Sequence, residues 1–425
     1  MKNKKAIYLL FSANIVSGLA QGISMIAIPW YFVEIVNRPQ VFSIAYIFIT
    51  LATLFWGLYA GTLIDRYSRK KLFIVANLIC GSLIGLVSLY GFYYQVIPDM
   101  LVIFVFGLTI FNYNVHYPNL YAFGQEITEK RYYGKLNSYI EIQGQATSIL
   151  AGAFAALLLT GTLGKTVNLA GFTFNLPFDI EAWKIQQIFL MDAVTYFLAT
   201  AIIIFIRYKA VTKERIQQGS LFERFNTGLN YLRNHPLIFN FGLASYMLFA
   251  FTLVNIHIVL PLYVRNFLEA GGDVYASAEV YYSFGAILAG LIAIRIFRKY
   301  NTVFGVIFLM LFVMIGFLGM TFINSILIFF IANLMLGLSN AGVRVLRTTY
   351  IFNHVPNNVI GRTGSVFNSL NIVVRMLLIG IFSMPFFNIN DNIRWAYLLG
   401  VCLLILALIP LIIKYKQTVE LESLN

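Results

Sequence analysis

Long apolar stretches interrupted by short polar turns run through this chain. Twelve are long enough to cross a hydrocarbon layer as helices, at about 6–36, 41–63, 72–94, 100–123, 137–159, 186–206, 237–267, 278–296, 303–323, 326–346, 363–386 and 393–413. The pattern predicts an all-α membrane protein. Two connections are longer than the rest. In residues 160–185 the segment Thr166–Asn175 reads as a short hairpin turning at Ala170-Gly171. In residues 207–236 Leu221, Phe222, Phe225, Leu229 and Leu232 recur at helical spacing, with Arg224 and Arg233 nearby. This is an amphipathic helix expected on the inner leaflet, tethering two halves.

Composition supports this reading. Of the 425 residues, 60% are hydrophobic and 11% charged, and the mean hydropathy is +0.79. A water-soluble fold of this size has no means of hiding so much apolar surface. Met1–Lys5 is basic and precedes an apolar run, as in a signal peptide, but the run continues to Val36 without a small-residue cleavage site. It is therefore expected to remain as a first helix. Cys80 and Cys402 both fall inside apolar runs, which argues against a disulfide framework or a cysteine metal site.

The net charge of +13 raises the question of nucleic acid, and the placement of the cations answers it. Twenty-four of the 30 basic residues fall on the side of the N-terminus. Arg38, Lys165, Lys184, Arg265 and Arg394 fall on the other side, and Arg375 lies inside a span. That asymmetry predicts both termini in the cytoplasm and leaves no charge that nucleic acid is needed to explain.

The halves of the chain echo each other at an offset of about 230 residues. Ile28-Pro29-Trp30-Tyr31 has a counterpart in Leu260-Pro261-Leu262-Tyr263. Gly134-Lys135 and Ser138 match Gly361-Arg362 and Ser365, and Arg69-Lys70-Lys71 matches Arg298-Lys299. The expected organisation is a parallel repeat of two pseudo-symmetric six-helix bundles, 1–206 and 237–425, joined by a linker at 207–236.

The turn Gly61-Thr-Leu-Ile-Asp65-Arg66-Tyr-Ser-Arg69-Lys70-Lys71 closely resembles the loop between helices 2 and 3 of the major facilitator superfamily of secondary transporters. The resemblance implies gating roles for Gly61, Asp65, Arg66 and Arg69. It sets the Asp65 loop beside the start of the eleventh span, near Arg362 to Ser365, where a carboxylate stabilises a helix start and the state closed to the cytoplasm, and it implies gating roles for Gly361 and Arg362 as well. The second half has no matching acid, its position being near Ile294. Three further stretches, Asp192–Phe197, Gly228–Pro236 and Val355–Arg362, resemble the branch of macrolide-efflux proteins and enterobactin exporters. The segment Ala151–Ala155 lacks the proline of that family's antiporter signature, which weakens the case for proton antiport.

Polar groups within the spans are costly and mark candidate cavity residues. Asn112, His116 and Asn119 share one face of the fourth span, and Asn340, Arg344 and Arg347 share one face of the tenth. Helices 1, 4, 7 and 10 line the cavity in the resembling fold, so the two triplets are expected to face each other, unless Arg344 and Arg347 snorkel to the cytoplasm. Asn14, Ser17, Gln21 and Ser24 lie along one face of the first span. Phe239, Tyr246 and Phe249 lie along the seventh, continuing to His257, and suit packing or a large, partly apolar substrate. Asn137, Glu141 and Gln145 share a face of the fifth span; Asn368, Asn371 and Arg375 share one of the eleventh. A mid-membrane arginine needs a carboxylate, a wet polar ring or an anionic ligand, and Glu141 is one candidate partner. Glu141, Asp192 and His257 are candidate coupling residues, or plain structural groups; Glu34 and Glu279 lie nearer the outer rim.

No metalloprotease, phosphate-loop or serine-hydrolase motif is present, so no enzymatic activity and no cofactor are expected. The expected function is secondary active export of a bulky organic small molecule, drug- or siderophore-like, by alternating access coupled to protons or another ion. Arg344 and Arg375 favour an anionic or hydroxyl-rich substrate. The alternatives are an importer of the same fold and a membrane-embedded ligand sensor. Expected surroundings are the lipids of a bacterial inner membrane, with the chain acting as a monomer.

Overall fold

The computed structural model describes residues 3–162, 166–175, 177, 179–208, 221–297, 301–356 and 359–423. The side chains of Asp65, Leu221, Phe222, Arg224 and residues 292–297 lie outside the description, as do Lys165 and Arg298-Lys299.

In chain order the helices are α1 Lys4–Trp30, α2 Pro39–Arg66, α3 Arg69–Tyr94, α4 Asp99–Glu126, α5 Tyr133–Thr160, α6 Ile185–Ile204, α7 Leu221–Asn234 and α8 Pro236–Val254. They continue with α9 Leu260–Asn266, α10 Gly272–Phe297, α11 Thr302–Phe322, α12 Ile326–His354, α13 Ile360–Phe382, α14 Pro385–Asn388, α15 Trp395–Ile413 and α16 Tyr415–Ser423. Among the described residues eleven helices are long and apolar enough to cross a membrane. The expected eighth span falls within α10, whose later side chains are not described. Local sequence sets the ends. Pro39 and Pro236 stand in the first turns of α2 and α8, where the missing N–H costs nothing. Ser68 and Asn301 cap α3 and α11 by accepting from Lys71 N and Phe304 N at 3.2 and 2.7 Å.

The expected hairpin forms between β1 Thr166–Leu169 and β2 Phe172–Asn175, with Thr166 opposite Asn175. Ala170 and Gly171 turn it with φ of 53° and 80°, the left-handed pair that a two-residue hairpin turn requires. The repeat shows in an irregularity: a π turn at Tyr31–Ile35 follows Pro29, and one at Asn255–Val259 precedes Pro261.

Two compact units are present. Unit 1 holds residues 1–38 and 52–217, and unit 2 holds 39–51 and 218–425. In unit 1, α1 packs on α5 and α6, and α3 packs on α4 and α6. In unit 2, α12 packs on α10 and α11, and α8 on α13 and α15. The α10–α12 crossing depends on glycine: a β-carbon at Gly337 would collide with the Tyr282 carbonyl, and one at Gly285 with the Leu334 carbonyl. Gly337→Leu is therefore expected to destabilise the protein by about 1–3 kcal/mol or more, read as a lower thermal midpoint in detergent, whereas Gly361→Leu has open space and is expected to be neutral.

The helix predicted between the halves forms as α7, but part of its face meets protein and not lipid. Gly228 lies against the Arg362 carbonyl, Leu232 is buried, and Tyr231 Oη donates to the His354 carbonyl at 3.3 Å. Partial burial raises the pKa of that phenol above its usual value. A side chain as small as glycine at 228 lets α7 approach the start of α13 this closely.

Candidate functional site

In unit 1 a groove of 610 Å³ runs between α1 and α5. Tyr8, Phe11 and Ile15 form one wall and Tyr139, Ile142 and Leu150 the other, with Lys4 and Lys135 at one end. Gln143 and Thr147 supply hydrogen-bonding groups to the same groove. They begin a polar chain: Gln143 Nε2 donates to Thr147 Oγ1 at 3.1 Å, and Asn14 Nδ2 donates to Gln143 Oε1 at 2.6 Å. Asn14 Oδ1 then meets His116 Nε2 at 2.6 Å, and in this arrangement the imidazole donates. Phe73 packs edge-on against that imidazole at 5.1 Å. The chain ties α5, α1 and α4 together and reaches from the groove into the bundle.

The shared face expected for α4 proves to serve three neighbours. His116 meets α1, Asn112 Nδ2 donates to Tyr196 Oη on α6 at 3.2 Å, and Asn119 Nδ2 donates to the Arg69 carbonyl on α3 at 2.9 Å. All three are buried. Gln21 and Ser24 continue the α1 face, and both are buried. Glu141 is exposed and accepts from Tyr121 Oη at 2.6 Å. Gln143 was not among the expected site residues, because the face counted through Glu141 and Gln145 passes beside it.

Of the residues expected to gate, Gly61 and Gly361 have open space around them, and Arg66 is exposed and lies 5.9 Å from the Tyr67 ring. Arg69 Nε stands 3.5 Å from Glu126 Oε1. The gating expectation for Asp65 rests on a side chain outside the described residues.

In unit 2 the site is cationic and aromatic. Arg347 is only 7% exposed. Its guanidinium lies 3.7 Å from the centroid of the Tyr246 ring, and Nη1 donates to the Ser245 carbonyl at 3.1 Å. Tyr246 also stacks on Phe367 at 5.5 Å, and Asn371 Nδ2 donates to the Tyr246 carbonyl at 3.2 Å. Phe249 is half-buried on the same helix. Asn340 Nδ2 donates to Tyr282 Oη at 2.7 Å. Arg344 is exposed, so the two arginines of the triplet divide: Arg347 is the buried one. A sequence signal for this existed. Leu336, Asn340, Val343, Arg347 and Tyr350 follow the spacing of the buried stripe of α12, and Arg344 falls outside it.

Arg375 is half-buried within α13, and its Nε is buried without a hydrogen-bond partner. It lies within electrostatic reach of Tyr46 and His257. Those two rings meet edge to face at 5.4 Å. Among the described residues no carboxylate pairs with Arg347 or Arg375.

A sequence model described as "Major Facilitator Superfamily" matches residues 10–379. Macrolide efflux protein A of Streptococcus pyogenes is 22% identical over 429 aligned residues, covering 99% of this chain and 98% of its own. The protein of that name from Enterococcus faecalis is also 22% identical, over 73% of this chain and 90% of its own. Among solved structures, the POT family transporter PepTSo superposes with a TM-score of 0.73 at 11% identity, covering 97% of this chain and 98% of its own. The nucleoside transporter NupG gives 0.69 at 12% identity, covering 97% and 99%, and a D-xylose–proton symporter gives 0.66 at 11%, covering 96% and 97%. At such identities these likenesses bear on the fold.

Proposed function

This chain belongs to the major facilitator superfamily, and from that premise we propose that it exports a bulky, partly apolar, hydroxyl-bearing organic molecule across a bacterial inner membrane. The observation that carries the reading is the α1–α5 groove. Its volume of 610 Å³ is within the range of drug-sized sites, its walls are aromatic and aliphatic, and Gln143 and Thr147 offer hydrogen bonds. The relatives called macrolide efflux proteins support both the substrate class and the outward direction. Arg375, unpaired with an acid among the described residues and with its Nε unpartnered, favours a substrate that brings anionic or electron-rich oxygens. The repeat read in the sequence and the family's fold support alternating access, driven by an ion gradient. The charge asymmetry supports cytoplasmic termini, with the hairpin outside.

Membrane vesicles of known orientation test this. Everted vesicles from cells expressing the chain are expected to accumulate a radiolabelled macrolide when energised. Accumulation only in right-side-out vesicles would make the protein an importer. Saturable binding with no accumulation in either orientation would make it a sensor. Protease access to the hairpin only from outside, with tags at Met1 and Asn425 protected, is the expected topology; tags on opposite sides would overturn it.

A further inference from the structure

Asp192 lies in α6 with none of its surface exposed, and both carboxylate oxygens are buried without a hydrogen-bond partner. No ion pair reaches it among the described residues. Three helices enclose it. From α1, Ser24 faces the carboxyl group without meeting hydrogen-bond geometry; Ser24 is itself fully buried, and its Oγ has no other partner. One turn earlier on α1, Gln21 Nε2 is also buried and unpartnered. From α3 comes the Cys80 thiol, and from α6 itself the Tyr196 phenol, whose Oη receives Asn112. Among the described residues those two are the titratable groups that face Asp192, and neither carries positive charge. The junction is tight: a β-carbon at Gly81 would lie 3.0 Å from Tyr196 Cβ and 3.3 Å from the Ala193 carbonyl.

An isolated ionised carboxylate in such surroundings carries a desolvation penalty so large that the group neutralises instead. The available neutralising ligands are a metal cation and a proton. Hard cations take six or more oxygen ligands. Here the facing groups are one carboxylate, one hydroxyl and a thiol, with a phenol already engaged. A proton needs only one carboxylate oxygen. We propose that Asp192 is the proton-carrying residue of unit 1: it holds a proton while the α1–α3–α6 junction is closed, and it is loaded and unloaded when α1 parts from α6 and water reaches it. Loading forms one O–H bond on a carboxylate oxygen with a proton taken from water, and unloading returns it to water. Ser24 is then the group across which the junction opens, because it brings the only α1 hydroxyl that faces the carboxyl. The inference rests on the transport reading for its role in the cycle, but the protonated state itself does not.

Two measurements separate those layers. Infrared difference spectra of the purified protein at neutral pH are expected to show a carboxylic C=O stretch that disappears in Asp192→Asn. Ser24→Ala is expected to keep the band and shift its frequency, which also reads the same group if Asp192→Asn does not fold. A wild-type spectrum in which Asp192 contributes only ionised carboxylate bands would overturn the proposal. In proteoliposomes with an imposed pH gradient, wild type is expected to accumulate a radiolabelled macrolide. Asp192→Asn is expected to bind it and exchange it, and to lose gradient-driven accumulation to the level of protein-free vesicles. Undiminished pH-driven accumulation by Asp192→Asn, or accumulation driven by sodium and not by protons, would overturn the coupling role. A C=O band with no macrolide transport by wild type would instead overturn the transport reading and leave the protonation standing.

Discussion

Arg347→Ala is expected to destabilise the protein and to abolish transport together. The guanidinium is buried, stacked on Tyr246 and bonded to the Ser245 carbonyl, so it joins α12 to α8. A hydrogen bond from a charged donor contributes about 1.5–3 kcal/mol, and a desolvated cation–π contact about 2 kcal/mol more when the two add fully. Removing the side chain also leaves space under the Tyr246 ring, which holds its place through Phe367 and the Asn371 bond to its carbonyl. Arg347→Lys keeps the charge but loses the planar stack and is expected to fall between wild type and alanine. Thermal midpoints in detergent and macrolide accumulation in vesicles are the measurements. An Arg347→Ala protein with a wild-type midpoint would show that the stack and the carbonyl bond contribute little.

Arg375 should behave in the opposite way. A guanidinium at the bilayer centre costs about 2.5–3.5 kcal/mol on insertion scales, and no carboxylate among the described residues offsets that here. Arg375→Ala is therefore expected to leave the thermal midpoint unchanged or raised while transport is lost. Arg375→Lys is expected to retain part of the transport, since it preserves the cation near Tyr46 and His257. Glu141 is expected to be energetically independent of Arg375: it already accepts from Tyr121, so Glu141→Ala should not restore anything lost in Arg375→Ala. Lower stability in Arg375→Ala that Glu141→Ala repairs would mean that the arginine serves a structural pair. Normal stability together with normal transport would remove both roles.

The residues expected to gate give a contrast of smaller size. Asp65→Asn is expected to lower transport and shift the protein toward the inward-open state, because a carboxylate near a helix start contributes about 0.3–1 kcal/mol. Unchanged cysteine labelling of the cytoplasmic vestibule would sink that role.

Eleven of the twelve expected spans, the hairpin at Ala170-Gly171 and the helix α7 were legible in the sequence and are found among the described residues. Their signals are local: run length, a turn that needs positive φ, and apolar spacing. The proline echo at Pro29 and Pro261 was legible as a repeat, whereas the π turns that adjoin the two prolines came only from the structure. The family followed from the loop around Asp65 for a similar reason, since a turn of eleven residues carries its whole pattern in contiguous sequence.

What each buried polar group touches was a different matter. Helical spacing told which side of α4 carries Asn112, His116 and Asn119, but only packing decided that they meet α6, α1 and α3 in turn. The side chains leave one face, yet that face passes several neighbouring helices along its length. Gln143 was passed over for the same reason: its importance lies in facing Asn14 across the α1–α5 contact, which no spacing within α5 records. For Arg344 and Arg347 the stripe did hold the answer in α12, but the presence of Tyr246 beneath the guanidinium came from α8, about a hundred residues earlier. The chain's own order fixes elements because hydrophobic period and turn chemistry act between near neighbours. Partners of polar side chains are set by which helices lie side by side, and that is decided by the packing of the whole bundle.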